Sequence, residues 1–277
     1  MIKLNDSINI SSILVSTALG ESGNGLFPYT LLPKYRKLCK IIKGRSITVI
    51  GKSATRNKRI GNFQLYKPWK WKYIQRLEDT GILNAYGLTN SGVEKCAEKN
   101  NHSRSLEFDV IPSFYPEFIH GLEVAIKETL EAIEIYDSLG FKVVELNISC
   151  PNSKEKIDEN MKQSIDCIRA IKKRFRQYLI IKTSILHPLE FYSQLEKEKV
   201  AAIHALNTIP FSIIYPEIIS PLHKVGGGGV SGGPAFKEAY HQNNLIRKQT
   251  RLPLIMGCGV TSQEDVKKYF DIGADSV

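Results

Sequence analysis

The segment Glu145-Leu-Asn-Ile-Ser-Cys-Pro-Asn152 holds the most chemically useful side chains in the chain. Cys150 carries a thiol of ordinary pKa about 8.5. A neighbouring cation would stabilise its thiolate and let it act as a base, whereas a buried small hydrophobe is the alternative role for such a cysteine. Asn147 offers a donor and an acceptor side by side, which suits the edge of an amide or imide. Pro151 restricts the direction of the loop that follows.

A second set of polar residues recurs at the ends of short apolar runs: Ser16-Thr17, Lys52-Ser53, Ser113, Asn147, Lys182-Thr183, Asn207-Thr208 and Gly257-Cys-Gly259. Two lysines and two asparagines converging on one mouth would receive a planar, electron-rich, partly anionic ligand. Two glycine-rich pieces, Gly226–Gly233 before Pro234 and Met256–Val260, could bring backbone N–H groups to a phosphate at a helix start. A mobile hinge is the competing reading of the first piece. Neither is a Walker loop or a Rossmann fingerprint. The six histidines are scattered, without an HExxH pair or carboxylates at metal spacing, so no metal site is expected. His204, inside an apolar run, reads as a satisfied core side chain.

The elements that would position these residues are strands alternating with helices. Strands are expected at Ile13–Ser16, Ile47–Gly51, Phe108–Pro112, Lys142–Asn147, Leu179–Lys182, Ala201–Leu206 and Leu254–Gly257, with a last one starting near Ala274. Helices are expected at Leu32–Ile42, Glu117–Leu139, Ile157–Arg176, Pro188–Lys197, Ala235–Lys248 and Ser262–Asp271. Within the second helix, Val124, Leu130, Ile133 and Ile135 form an apolar stripe. Strand–helix alternation implies a parallel sheet, and eight strands in 277 residues favour an α/β fold of the (β/α)8 TIM barrel type. The reading is one domain over 1–277, with an insertion at about 56–80 (Trp69 and Trp71 among its residues) covering the barrel mouth. The sequence stops at Val277, inside the eighth strand, so the barrel is expected to be truncated in the eighth βα unit.

Composition sets the outer limits. A content of 42% hydrophobic and 24% charged residues is that of a globular chain and excludes disordered and collagen-like classes. No apolar run approaches the roughly 20 residues of a membrane span, and the first residues lack the order of a secretion signal. A cytoplasmic protein is the expectation. Five cysteines without a CxxC pair fit reduced thiols rather than a disulfide framework. The net charge of +10 comes from dispersed lysines without a nucleic-acid-binding signature, so a nucleic-acid partner is not expected.

Taken in order, Gly51-Lys-Ser-Ala-Thr55, Arg59-Ile-Gly-Asn62, Gly81–Val93, Asn147-Ile-Ser-Cys-Pro-Asn152 and Gly229–Pro234 resemble the dihydroorotate dehydrogenase family. The resemblance runs from Ser16 to Gly273. It implies an FMN-dependent oxidation of dihydroorotate to orotate in pyrimidine biosynthesis. Cys150 would take the proton from C5 while a hydride leaves C6 for flavin N5. The cysteine and the absence of an N-terminal membrane helix resemble class 1 members. Asn152 stands where the related dihydropyrimidine dehydrogenases carry histidine.

The resemblance also implies a substrate set of Lys52, Asn84, Tyr86, Gly87, Leu88, Asn147, Asn152, Asn207 and Thr208. Its implied cofactor set is Ser16, Thr17, Lys52, Ser53, Asn147, Lys182, Leu206, Gly232, Gly257 and Gly259. A homodimer is expected, joined by an iron–sulfur electron-transfer subunit if NAD rather than fumarate is the acceptor. Three departures stand out: Gly259-Val260 replaces a Gly-Gly pair, Phe63-Gln-Leu-Tyr66 replaces a proline-rich continuation, and the Gly-Thr phosphate contact beyond strand eight is absent. The alternatives are a flavoprotein oxidoreductase acting on another pyrimidine or an enone, and a catalytically impaired barrel that binds FMN or a pyrimidine.

Overall fold

A computed structural model describes residues 1–17, 19–26, 29–149 and 157–277. The chain opens with an antiparallel hairpin, β1 (Ile2–Lys3) and β2 (Asn9–Ile10). Then come β3 (Leu14–Ser16), α1 (Pro33–Gly44) and β4 (Thr48–Ile50), the two strands being parallel. Next are β5 (Ile74–Arg76), β6 (Ile82–Asn84) and α2 (Val93–Ser105). Regular alternation resumes with β7 (Val110–Ile111), β8 (Ser113–Phe114), α3 (Leu122–Ser138), β9 (Val143–Asn147), α4 (Ile157–Arg174), β10 (Tyr178–Lys182), α5 (Leu189–Lys197) and β11 (Ala202–Ala205). The last part holds β12 (Ile209–Pro210), the short α6 (Phe211–Ile214), β13 (Gly229–Ser231), α7 (Phe236–Gln249), β14 (Leu254–Met256) and α8 (Gln263–Asp271).

This is an α/β fold with parallel sheets. One sheet has the order β3-β4-β7 and the other β8-β9-β10-β11-β14, so sequential strands lie side by side with helices between them. Only Pro112 separates β7 from β8, and its carbonyl accepts from the Glu145 N–H at 2.9 Å. Ala54 bridges to Phe114 across the same junction. At the opposite edges, Ile255 bridges to Ser276, and Val277 donates to Ser12 O and accepts from Leu14 N–H, each at 2.9 Å. These bonds tie the outer edge of one sheet to that of the other.

The period of two along a strand divides the side chains between two environments. Val144, Leu146, Leu179, Ile181 and Ile203 pack against Ile133 and Tyr136 of α3, Ile168 of α4 and Leu195 of α5 in the main core. The intervening residues Val143, Ile180 and Ala202 join Ile50, Ile111 and Ile255, closed over by Ile2 and Ile10 of the hairpin. Two residues further along the same face of β9, β10 and β11 come Glu145, Lys182 and His204, all buried. The strand interior therefore changes from aliphatic to ionisable in one step.

Three features differ from expectation. Helix α2 was not anticipated, because its buried face after Val93 is Cys96, Ala97, Asn100 and Ser103, too small and polar to show an apolar period. Helix α3 begins at Leu122 rather than Glu117, since Gly121 at φ +93° separates it from a 3-10 turn at Phe118–His120. Its buried residues are Ala125, Thr129, Ala132, Ile133 and Tyr136, while Val124 is exposed. The third is a four-stranded antiparallel sheet, β12-β13-β6-β5. No described helix is long and apolar enough to cross a membrane.

Candidate active site

A cavity of about 1650 Å³ opens where β4, β9, β10 and β11 end. Lys52 and Ser53 follow β4, Asn147 and Lys182 terminate β9 and β10, and Asn207 and Thr208 follow β11. All six line the cavity, as do Thr17, Asn84, Tyr86, Gly87 and Leu88. Ligand cavities usually measure roughly 300–1,000 Å³, so this one has room for two bound molecules.

Lys52 donates its ammonium to the Thr89 carbonyl and lies 4.3 Å from the centroid of the Tyr86 ring. Its stem still borders the cavity, but the ammonium is enclosed deeply enough that burial pulls its pKa down to about 8, against the opposing field of Glu21. Glu21 also lines the cavity and accepts from Lys99 at 2.6 Å and from the Ser91 hydroxyl. An anion entering the cavity would meet Lys52 on one wall and Lys182 on another. Lys182 Nζ donates to Ser16 Oγ at 3.1 Å.

Beneath these lysines, the polar residues are joined in one chain. Asn147 Nδ2 donates to Ser53 Oγ at 2.8 Å, Ser53 Oγ lies 2.8 Å from Ser113 Oγ, and Ser113 donates to Glu145 Oε1 at 2.7 Å. The other Glu145 oxygen meets His204 Nδ1 at 2.6 Å. Burial acts to raise the Glu145 carboxyl, but Lys182, His204 and Ser113 outweigh it and hold its pKa below the ordinary value. Burial and then Lys182 lower the His204 pKa, against the attraction of Glu145. A neutral imidazole donating to a carboxylate follows, and His204 is indeed a satisfied buried side chain.

The Asn147 Oδ1 accepts from the Ser149 N–H at 3.1 Å and the Ser149 hydroxyl at 2.5 Å. Asn147 therefore does not offer a ligand both a donor and an acceptor, as its residue type suggests. Its acceptor is spent on the turn into the next loop, and among the described residues the second N–H of Nδ2 is what it retains.

The loop carrying Tyr86, Gly87 and Leu88 is locked from behind. Asn90 accepts from the Thr55 and Gly92 N–H groups and donates to Leu88 O at 2.7 Å, and the single Thr89 hydroxyl proton has the carbonyls of residues 60, 63 and 86 within reach. Asn84 Nδ2 reaches Gly229 O at 3.3 Å, which pins β6 to β13 at the cavity edge. Residues 58–60 and 63–67 line the same cavity, and Arg59 pairs with Glu117.

The remaining sequence candidates sit apart from the cavity wall. Ser16 is reached through Lys182, and Leu206 is buried in the main core. Gly232, at φ +82°, precedes the 3-10 turn leading into α7, and Gly259 packs on the first residue of α7. A Cβ on Gly257 would meet nothing within 4 Å. Cys150 and Asn152 lie outside the described residues. Glu145 and Glu21 were not singled out for a role in the sequence, and Ser113 was read only as one of the polar residues at strand ends. An ionisable residue inside the apolar run of β9 was the available signal for Glu145.

Residues 37–277 match the protein family described as dihydroorotate dehydrogenase. Curated relatives carry the name "Dihydroorotate dehydrogenase B (NAD(+)), catalytic subunit". The Oceanobacillus iheyensis protein is 30% identical over 83% of this chain and 73% of its own length. That of Lachnoclostridium phytofermentans is 26% identical over 99% and 87%, and that of Caldicellulosiruptor bescii 29% over 88% and 77%.

Proposed function

Because the chain belongs to the dihydroorotate dehydrogenase family, we propose that it is an oxidoreductase converting (S)-dihydroorotate to orotate in pyrimidine biosynthesis. The observation that carries this reading is the convergence of Lys52, Asn84, Asn147, Lys182, Asn207 and Thr208 on one cavity. An anionic substrate needs a cation, and Lys52 is the one held beside Tyr86. A carbonyl needs a donor, and the second N–H of Asn147 Nδ2, which has no partner among the described residues, supplies it. Asn84, Asn207 and Thr208 line the same space and complete the polar ring.

FMN is the proposed cofactor. The volume left beside a substrate, the Lys182 ammonium on the wall and the open side of Gly257 suit a planar ring with a phosphate tail. Ser16, Thr17, Ser53, Lys182, Leu206, Gly232, Gly257 and Gly259 are the residues proposed to hold it. When bound, FMN supplies at N5 the acceptor for the hydride leaving C6 of dihydroorotate. Cys150 is proposed to take the C5 proton, the task its position in the family motif implies. Lys182 would place positive charge beside the ring.

The finer architecture is read as a (β/α)8 TIM barrel in one domain over 1–277. The bonds from Ser276 and Val277 to both outer strands support it. Residues 56–80 are proposed to cover the mouth. The names of the relatives, which carry NAD(+) and the words catalytic subunit, favour NAD as final acceptor and a second subunit; that this subunit is an iron–sulfur electron-transfer protein and that the catalytic chain is a homodimer belong to the proposal.

Anaerobic titration tests the reading. Purified protein loaded with FMN should lose its visible flavin absorption on adding dihydroorotate and regain it with an acceptor. Flavin that stays oxidised in excess dihydroorotate overturns the proposal.

A further inference from the structure

Glu145 is fully buried two residues before Asn147 on the same face of β9, and the mechanism above gives it no task. The hydrogen bonds between these residues have only one consistent direction. An ionised carboxylate accepts and cannot donate, so Ser113 must give its hydroxyl proton to Glu145 Oε1. The Ser113 oxygen then receives the proton of Ser53, and the Ser53 oxygen receives Asn147 Nδ2. The other end agrees independently. The Ser149 backbone N–H can only donate, and it meets Asn147 Oδ1, which leaves Nδ2 facing Ser53. His204 Nδ1 meets the second carboxylate oxygen, so both oxygens of Glu145 are held.

We propose that Glu145 is a positioning residue which, through Ser113 and Ser53, fixes the amide orientation of Asn147. The cavity is thereby made to present a hydrogen-bond donor at that point, and to select ligands carrying an acceptor there. This rests on the proposed function, in which that acceptor is an oxygen of dihydroorotate or orotate. Removing any link would leave the Asn147 amide held from the Ser149 side alone, although neither Glu145 nor Ser113 touches the ligand. Buried chains of this kind are coupled, so single deletions should overlap rather than add.

The test measures orotate affinity of the FMN-loaded protein from the flavin absorption change. Ser113→Ala should weaken orotate about tenfold, the scale of one hydrogen bond, and Ser113→Thr, which keeps the hydroxyl, should restore it. Glu145→Gln should weaken orotate at least as much, and Ser113→Ala added to it should cost nothing further. Wild-type affinity in Ser113→Ala overturns the proposal, as does a double variant whose loss is the product of the two single losses. If Ser113→Ala does not fold, Glu145→Gln is read in its place, and wild-type orotate affinity in that variant overturns the proposal. Loaded wild-type protein that fails to bind orotate overturns the proposed function itself, an outcome distinct from either.

Discussion

The Lys182 ammonium donates to the Ser16 hydroxyl at 3.1 Å, although the two residues stand 166 positions apart on strands of different sheets. The contact therefore crosses the space between the sheets rather than running along one of them. It holds a buried cation at the cavity wall, above the Glu145 carboxylate whose ionised state it favours. Lys182→Met removes that charge while keeping much of the stem. The expected result is a fall of about 10²-fold in the rate of flavin reduction by dihydroorotate, the scale seen when one preorganised electrostatic partner is lost. Stopped-flow reduction checks it, and an unchanged rate would remove Lys182 from the site.

How far such a contact is legible beforehand depends on its range. Lys182 and Ser16 could each be placed at a strand end, since the apolar runs preceding them are local signals. Their partnership could not, because it depends on how two sheets face one another. The same limit hid the pairing of Gly229 with Asn84, which joins β13 to β6. Helix α2 was missed for a different reason. Asn100 lies on its buried face to donate to the carbonyls of Glu21 and Ser22, so a polar residue does what periodicity assigns to an apolar one. Glu145 combines both difficulties, being polar in an apolar run and explained only by Ser113 on the adjacent β8 and His204 on β11, two strands away.

Lys52 should impose a pH limit on substrate binding. Burial lowers its pKa to about 8 from an ordinary 10.5. As pH rises through about 8 the folded protein loses this charge, so KM for the dihydroorotate anion should climb while the substrate itself stays charged. A profile of kcat/KM that falls on its alkaline side near this pH, and loses that limb in Lys52→Met along with most affinity, is the expected outcome. Stability moves the other way. Between about pH 8 and 10.5 the unfolded chain binds more protons at this residue than the folded one, so its contribution to stability rises with pH over that window. Denaturant titrations of wild type and Lys52→Met at either end of the window measure the difference.

The two glycines after β14 should respond differently to alanine. Gly259 sits at φ +83°, and a Cβ there would lie 2.5 Å from the Phe236 nitrogen and 2.4 Å from its Cα. Backbone cannot swing aside as a side chain can, and the left-handed conformation alone costs about 1–3 kcal/mol for a residue other than glycine. Gly259→Ala should lower stability by at least that amount. Gly257→Ala meets no atom within 4 Å and should fold as wild type. Its methyl group would occupy the open side assigned to FMN, so its expected defect is weaker FMN retention at unchanged Tm. Equal Tm values for the two variants would contradict the packing argument.

Cys150 is separable from every binding residue by the step it would perform. The proton at C5 must leave for the hydride at C6 to be useful, and a positioned base is worth about 10²–10⁴-fold in rate. Cys150→Ala removes the base without removing Lys52 or Asn147, the groups proposed to bind the carboxylate and the carbonyl. Flavin reduction at neutral pH should therefore fall by that factor, while orotate still perturbs the flavin spectrum with near wild-type affinity. Cys150→Ser should lie between the two and gain rate with rising pH, because a hydroxyl surrenders its proton less readily than a thiol. Rapid reduction by Cys150→Ala would assign the proton to another group, whereas loss of orotate binding would make Cys150 a packing residue of the site.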